Sequence, residues 1–323
     1  MTRTSRYLRA GSVALAALVL AACAGTSSPA PSVSIAPTAS PIPAPTASPS
    51  PTAPPVSFSG DIAVNGTRTL RVRCIGHGSP TILLEAGGTG SNLDDWTRWF
   101  PDILGAQTTT CAYSRAGGNG SVPMPDPWTM DKVVADADAL LAGLKTQAGI
   151  EGPYVLVGWS FGGAVALAEA LAHPDTTVGL VILDSGFPND FLAVCPTSGR
   201  TVAECQAIYD GDKDAKDMGA ELNHRIHALP GMPIVLVSAM HPDPGCAPEP
   251  GASVVTADLD GALVSAADCV TLMVRIADAE IAAWRTLGAQ VVDTRVDATH
   301  DAMIDQAGEQ IAAVILAVVA KAR

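Results

Sequence analysis

The chain has 323 residues, with 19 Lys+Arg against 32 Asp+Glu and a formal charge of −13. Apolar residues make up 48% and charged residues 16%, which is enough for a large core and excludes wholesale disorder. The acidic balance shows no basic patch to neutralise phosphates, which argues against a nucleic-acid partner, and no apolar run reaches bilayer length, which excludes a multi-span membrane protein.

In chain order, residues 1–22 read as an export signal. Arg3, Arg6 and Arg9 form a positive leading region, and the apolar stretch from Gly11 to Ala22 is too short to span a bilayer. The stretch ends Leu20-Ala21-Ala22-Cys23, which resembles the lipobox of bacterial lipoproteins. That resemblance implies cleavage before Cys23 and a diacylglycerol on its sulfur, hence an exported protein held at the cell-envelope membrane, outside the cytoplasm. More than one acyl chain anchors stably where a single chain does not. Residues 23–56 form a linker rich in Pro, Ala, Ser and Thr: ten of the 25 prolines fall in the 33 positions 24–56. With no apolar periodicity to bury, it is expected to be extended, and at about 3.1 Å per residue it reaches roughly 100 Å.

Residues 57–323 read as one domain. Strand-like runs occupy 69–75, 81–86, 108–113, 154–158, 178–184, 234–238 and 289–296, and several are continuous Val/Leu/Ile runs, as in strands buried on both faces. Helical stretches occupy 130–146, 161–172, 263–287 and 303–320. The alternation predicts an α/β protein with a mostly parallel central sheet flanked by helices. Residues 186–230 break the rhythm with no strong strand and read as a lid inserted between two sheet strands.

The main chemical signal is Gly158-Trp159-Ser160-Phe161-Gly162, followed by Gly163. An apolar strand leads in and an Ala/Leu-rich helix leads out, so Ser160 stands at a sharp strand-to-helix turn. Side chains two residues to either side of such a turn would collide, and glycine at 158 and 162 removes them. The helix N-terminus offers a free N–H, that of Phe161, where an oxyanion would develop.

Serine needs a base. Of the six histidines, His300 follows the last predicted strand and precedes the last helix, in Val296-Asp297-Ala298-Thr299-His300-Asp301. His77, His173, His224, His227 and His241 read as helix-end, helix-face or loop residues. The acid that would orient the imidazole has two main candidates, Asp243 after the strand at 234–238 and Asp184 at the end of the strand at 178–184. Spacing along the chain does not choose between them.

Together, Leu83-Leu84-Glu85-Ala86-Gly87-Gly88, Cys111-Ala112-Tyr113-Ser114-Arg115-Ala116-Gly117 and the elbow at 154–163 resemble the α/β-hydrolase superfamily, in a bacterial serine-hydrolase, esterase-like branch. The likeness runs from about Thr69 to the C-terminus. It implies an α/β-hydrolase fold with strand order 1-2-4-3-5-6-7-8, His300 as catalytic base, Gly88 as a second oxyanion donor beside Phe161, and no metal or cofactor. Where that branch typically reads Asp before the arginine this chain has Ser114, which alters the hydrogen bonding expected around Arg115.

With Cys23 lipidated, six cysteines remain in an exported protein, and six allow 15 pairings. The family strand order places the strands of Cys74 and Cys111 side by side, which implies that pair. Cys195 and Cys205 are ten apart, a spacing at which a local loop closure is expected, and Cys246 and Cys269 flank another irregular stretch and are expected to form a third pair, with free buried thiols as the alternative. No Cys/His cluster suggests a metal.

The expected chemistry is acyl transfer to water: a serine hydrolase that cleaves a carboxylic ester of a small acyl substrate through an acyl-enzyme. A peptidase or acyltransferase would use the same residues. A different class of function, a non-catalytic binding lipoprotein at the cell surface, would leave them idle.

Overall fold

The structure is a computed structural model. It describes residues 56–323 apart from 89–91, 97–99, 124–126, 187, 190, 199–200, 212, 228, 230, 241–253, 257–262, 266–273, 275–277 and 288–290. The signal, Cys23, the linker up to residue 55, Asp243, Cys246 and Cys269 lie outside the described residues.

The chain opens with an antiparallel hairpin, β1 (Val56–Asn65) and β2 (Arg68–Ile75), closed by the two residues Gly66-Thr67, with Gly66 at φ 57°. Then follow β3 (Thr81–Glu85), α1 (Phe100–Gly105), β4 (Thr110–Tyr113), α2 (Met130–Ala148), β5 (Tyr154–Trp159), α3 (Phe161–Ala172) and β6 (Thr177–Leu183). Between β6 and the next sheet strand the described residues include α4 (Phe191–Val194), a 3-10 turn at Cys195–Ser198, α5 (Val202–Gly211) and α6 (Lys213–Arg225). After β7 (Ile234–Ala239) come β8 (Val254–Thr256), β9 (Leu263–Ser265), α7 (residues 278–285), β10 (Val291–Val296), α8 (Met303–Gln306) and α9 (Gly308–Lys321).

One eight-stranded sheet has the order β1-β2-β4-β3-β5-β6-β7-β10. The β1–β2 and β2–β4 pairs are antiparallel and all later pairs are parallel. This is the order that the sequence resemblance implies, with β10 as the eighth sheet strand because β8 and β9 pair with each other in a separate two-stranded sheet.

Why the strand runs are apolar throughout is visible in the two cores. On one face sit Leu83, Leu156, Leu180, Ile182, Ile234 and Leu236, packed with residues of α2, α3 and α6. On the other sit Ile82, Leu84, Val155, Val157, Val181, Leu183, Val235 and Val237, packed with α8 and α9. Successive strand residues point to opposite faces, so a sheet covered on both sides needs apolar side chains at every position. The helices show the complementary stripe. In α9, Ile311, Ile315, Val318 and Val319 are buried, at one-turn and two-turn spacing. Helix α2 is capped at its start by the Thr129 hydroxyl, which accepts the Lys132 N–H, and stopped by Gly149 at φ 65°, whose N–H reaches the Leu144 and Lys145 carbonyls.

Two readings of the sequence need correction. No strand was expected before residue 69, yet β1 starts at Val56. Its pattern is weak because it is an edge strand with register shifts at both ends and polar residues at Ser57, Ser59 and Asp61. The helix expected over 263–287 is also not continuous. Leu263–Ser265 is a strand paired antiparallel with Val254–Thr256, and the described helical segment in that region that packs beneath the site is α7. A short apolar run serves strand or helix equally until its partner is known.

Two disulfides tie the described chain. Cys74–Cys111 joins facing residues of β2 and β4, and Cys195–Cys205 closes a ten-residue separation ahead of and within α5.

Candidate active site

Ser160 sits between the end of β5 and the start of α3, at φ 54° and ψ −128°. A non-glycine residue at positive φ is strained, and here it is held by the Ser160 N–H on the Leu183 carbonyl at 3.0 Å and the Gly163 N–H on the Ser160 carbonyl at 2.9 Å. The flanking glycines are obligatory. A Cβ at Gly158 would lie 2.2 Å from the Gly162 carbonyl oxygen, and one at Gly162 would lie 2.1 Å from the Glu85 carbonyl oxygen.

His300 comes from the loop between β10 and α8, and Asp184 from the end of β6. The Ser160 Oγ lies 3.0 Å from His300 Nε2, and Asp184 Oδ2 lies 2.8 Å from His300 Nδ1. A carboxylate only accepts, so Nδ1 carries the proton it donates to Asp184 and Nε2 is left to accept the serine hydroxyl. The second carboxylate oxygen of Asp184 accepts the Ala239 N–H at 2.9 Å, which fixes the carboxylate against the end of β7. The His300 and Asp184 side chains keep 28% and 24% of their surface, so the pair is open to a substrate from one side. The Trp159 indole packs beside the imidazole, with ring centroids 5.6 Å apart.

Of the two candidate acids, Asp184 is thus the one in contact with His300. Its φ of 44° places it, like Ser160, at a strained turn off a strand end. Asp243 lies outside the described residues.

The segment after β3 meets the serine from the other side. A Cβ at Gly87 would stand 3.1 Å from both the Ser160 Cβ and a Trp159 ring carbon, tighter than ordinary contact, so glycine eases the close approach of this backbone. Gly88 follows at φ 65°. Both are held from behind by Arg115. Its guanidinium donates to the Gly87 carbonyl at 3.4 Å and to the Gly88 carbonyl, pairs with Glu85 Oε2 at 3.2 Å, and lies 5.4 Å over the Phe161 ring. The Tyr113 hydroxyl donates to the same Glu85 carboxylate at 2.8 Å. Arg115 and Glu85 are almost fully buried. Burial pushes the Glu85 carboxyl up, against the pull of Arg115 and Tyr113, and burial together with the Glu85 charge pushes the Tyr113 phenol well up. Glu169, on α3, is buried nearby, and burial followed by the charges of Glu85 and Asp138 holds its carboxyl well above the usual range.

The serine in place of aspartate at 114 leaves this network intact. The Ser114 hydroxyl accepts the Leu93 N–H at 3.0 Å and takes no part in the contacts of Arg115. The role of Arg115 in holding the glycine segment was not foreseen from the sequence, although its place beside the family-like stretch was a signal. Among the described residues no group of three His, Cys, Asp or Glu side chains is arranged to hold a metal ion.

The fold is that of the α/β-hydrolases. The model of the family described as alpha/beta hydrolase fold matches residues 80–204. Over 127 residues the chain is 49% identical to Lipase LipV of Mycobacterium tuberculosis (strain ATCC 25618 / H37Rv), covering 35% of this chain and 46% of the lipase. It is 31% identical over 129 residues to the fluoroacetate dehalogenase of a Burkholderia species, covering 39% and 38% respectively. The matches thus span less than half the length of these curated relatives. Among solved structures it is similar to the epoxide hydrolase CorEH, with a TM-score of 0.55 at 15% identity over 82% of this chain and 99% of that one. The meta-cleavage product hydrolase CumD of Pseudomonas fluorescens IP01 superimposes with a TM-score of 0.52 at 14% identity, over 83% and 99%. The chain has the α/β-hydrolase fold.

Proposed function

We propose that this protein is a serine hydrolase that cleaves carboxylic esters through an acyl-enzyme. The observation that carries the reading is the unbroken chain of contacts from Ser160 Oγ through the imidazole of His300 to Asp184, at 3.0 and 2.8 Å. The resemblance to a lipase supports ester cleavage over other acyl transfers.

In the proposed reaction His300 Nε2 takes the proton of the Ser160 hydroxyl as Oγ attacks the ester carbonyl carbon. The imidazolium that forms is stabilised by Asp184, whose carboxylate stays ionised. The tetrahedral oxyanion is stabilised by the N–H of Phe161, at the start of α3, and that of Gly88. Collapse breaks the bond to the alcohol, which leaves with the proton from His300. A water, deprotonated by the same nitrogen, then attacks the acyl-serine, and the acid departs as Oγ recovers its proton.

The test is Ser160→Ala against the parent, assayed on a panel of p-nitrophenyl esters and aminoacyl amides. The parent is expected to hydrolyse the esters and to be labelled at Ser160 by a fluorophosphonate, and the variant to lose at least about 10³-fold in kcat and all labelling. An alanine variant as fast as the parent refutes the reading, and parental activity on the amides alone turns it into a peptidase.

The placement of the protein is proposed from the sequence: anchored at the envelope membrane through lipid on Cys23, beyond a proline-rich linker. Cys23→Ser should then move the protein from the membrane to the soluble fraction.

A further inference from the structure

Close to Asp184, at the end of the sheet that presents Ser160 and His300, stands the carboxyl of Glu280. Glu280 is on α7, next to Ile281 and one turn before Trp284, both of which are buried in the core. It therefore lies on the inward face of its helix, where a carboxyl is rarely found without a partner. With Asp184 and Ser185 from the end of β6, Leu236 and Ser238 of β7, and Trp284, it lines a cavity of about 30 Å³, room for about one water. One carboxylate oxygen of Glu280 lies 2.8 Å from where a Cβ on Gly186 would stand, so the side chain reaches the backbone just beyond Asp184.

Among the described residues the charged neighbours of Glu280 are these. From β6 it faces Asp184. From β7 the one polar side chain is Ser238, whose hydroxyl bonds Asp293 of β10 at 3.3 Å. Arg295 of β10 is engaged at the surface by Asp278 and Asp293. His300 stands on the far side of Asp184.

We propose that Glu280 is a positioning residue for the Asp184–His300 pair, a second carboxyl that acts from the shared cavity on Asp184 and through it on the base that faces Ser160. The inference rests on the serine-hydrolase reading for its catalytic consequence. Burial, and after it the charge of Asp184, push the Glu280 carboxyl up to about 7. Near neutrality it is thus divided between two forms. As the neutral acid it leaves Asp184 as the single formal charge behind the imidazole. As the carboxylate it adds a second negative charge, which stabilises the imidazolium and makes the free base harder to obtain. Loss of activity toward acid pH then reports two interacting protons rather than one.

Glu280→Gln keeps the shape and removes the charge, and Glu280→Met removes the polarity as well. Both are expected to lower the midpoint of the acid limb of kcat/KM on p-nitrophenyl acetate by about half a pH unit or more, and to reduce that limb to a single ionisation. Plateau kcat should stay within about threefold of the parent. A purely structural residue would change the plateau or the melting temperature and leave the limb in place. The second readout needs no turnover: the ring signal of His300 in histidine-labelled protein, identified by its loss in His300→Gln, should titrate at lower pH in both variants. If the parent hydrolyses none of the esters, the serine-hydrolase reading fails while the ring titration still decides the coupling. Superimposable His300 titrations in parent and folded variants overturn the proposal.

Discussion

Replacing Arg115 by methionine isolates what the buried network behind the site contributes. Arg115→Met keeps the stem and removes a guanidinium that is paired with Glu85, bonded to the Gly87 and Gly88 carbonyls and stacked over Phe161. Three acceptors lose their donor at once, and Glu85, with no exposed surface, keeps only the Tyr113 hydroxyl. Breaking a buried ion pair from one side costs about 3–5 kcal/mol. In a domain of this size about 1 kcal/mol moves the melting temperature by about 2–4 °C, so a drop of about 6–20 °C is expected. The sign of the pH dependence follows from Glu85. Without Arg115 its folded-state carboxyl, already pushed up by burial, rises further above the unfolded value. The variant then folds with Glu85 protonated while the unfolded chain ionises it, so the penalty is smallest below the unfolded value, near about pH 4, and grows as pH rises toward the folded one. Urea unfolding near pH 4.5 and pH 8 measures this directly, with the larger loss at pH 8. Adding Glu85→Gln to the variant removes the stranded charge and should recover part of the stability. A variant within about 1 kcal/mol of the parent at both pH values would refute the reasoning, because the pair would then carry no load.

The remaining predictions concern single carboxyls. Asp184→Asn leaves the contact to His300 sterically intact but replaces an acceptor by an amide that can present its own N–H, so the imidazole takes the wrong tautomer; kcat/KM should fall by about 10³–10⁴-fold in steady-state assays. Asp243→Asn in the same assay should stay near the parent, and the reverse ranking would move the acid to Asp243. Glu169→Gln removes a carboxyl that burial, and after it the charges of Glu85 and Asp138, holds well above the usual range. A raised folded-state value means stability is kept below the unfolded value and lost as pH rises through the folded one, so the variant should be more stable than the parent at pH 8 and match it near pH 4 in denaturant titrations.

How much of the site was legible depends on how local its causes are. Ser160 was legible because the strand, the glycine-flanked turn and the helix are contiguous, and their steric demands fall on residues two positions apart. His300 was legible by its place between the last strand and the last helix. The acid was not, because β6 and β7 are adjacent parallel strands and each is followed in the sequence by an aspartate, Asp184 and Asp243. What distinguishes Asp184 is a backbone at φ 44° and an N–H from Ala239 on the neighbouring strand, neither of which leaves a pattern in the chain.

The same division runs through the rest of the molecule. Apolar runs announced a sheet covered on both faces, since side chains that alternate between two cores must all be apolar. A ten-residue cysteine spacing announced Cys195–Cys205, because short loops close on themselves. The edge strand β1, the pairing of β8 with β9, the burial of Arg115 and Glu85, and the half-buried place of Glu280 beside Asp184 were decided only by tertiary structure. Each depends on a partner tens to hundreds of residues away, and a charged side chain reads as solvated until the fold reveals what covers it.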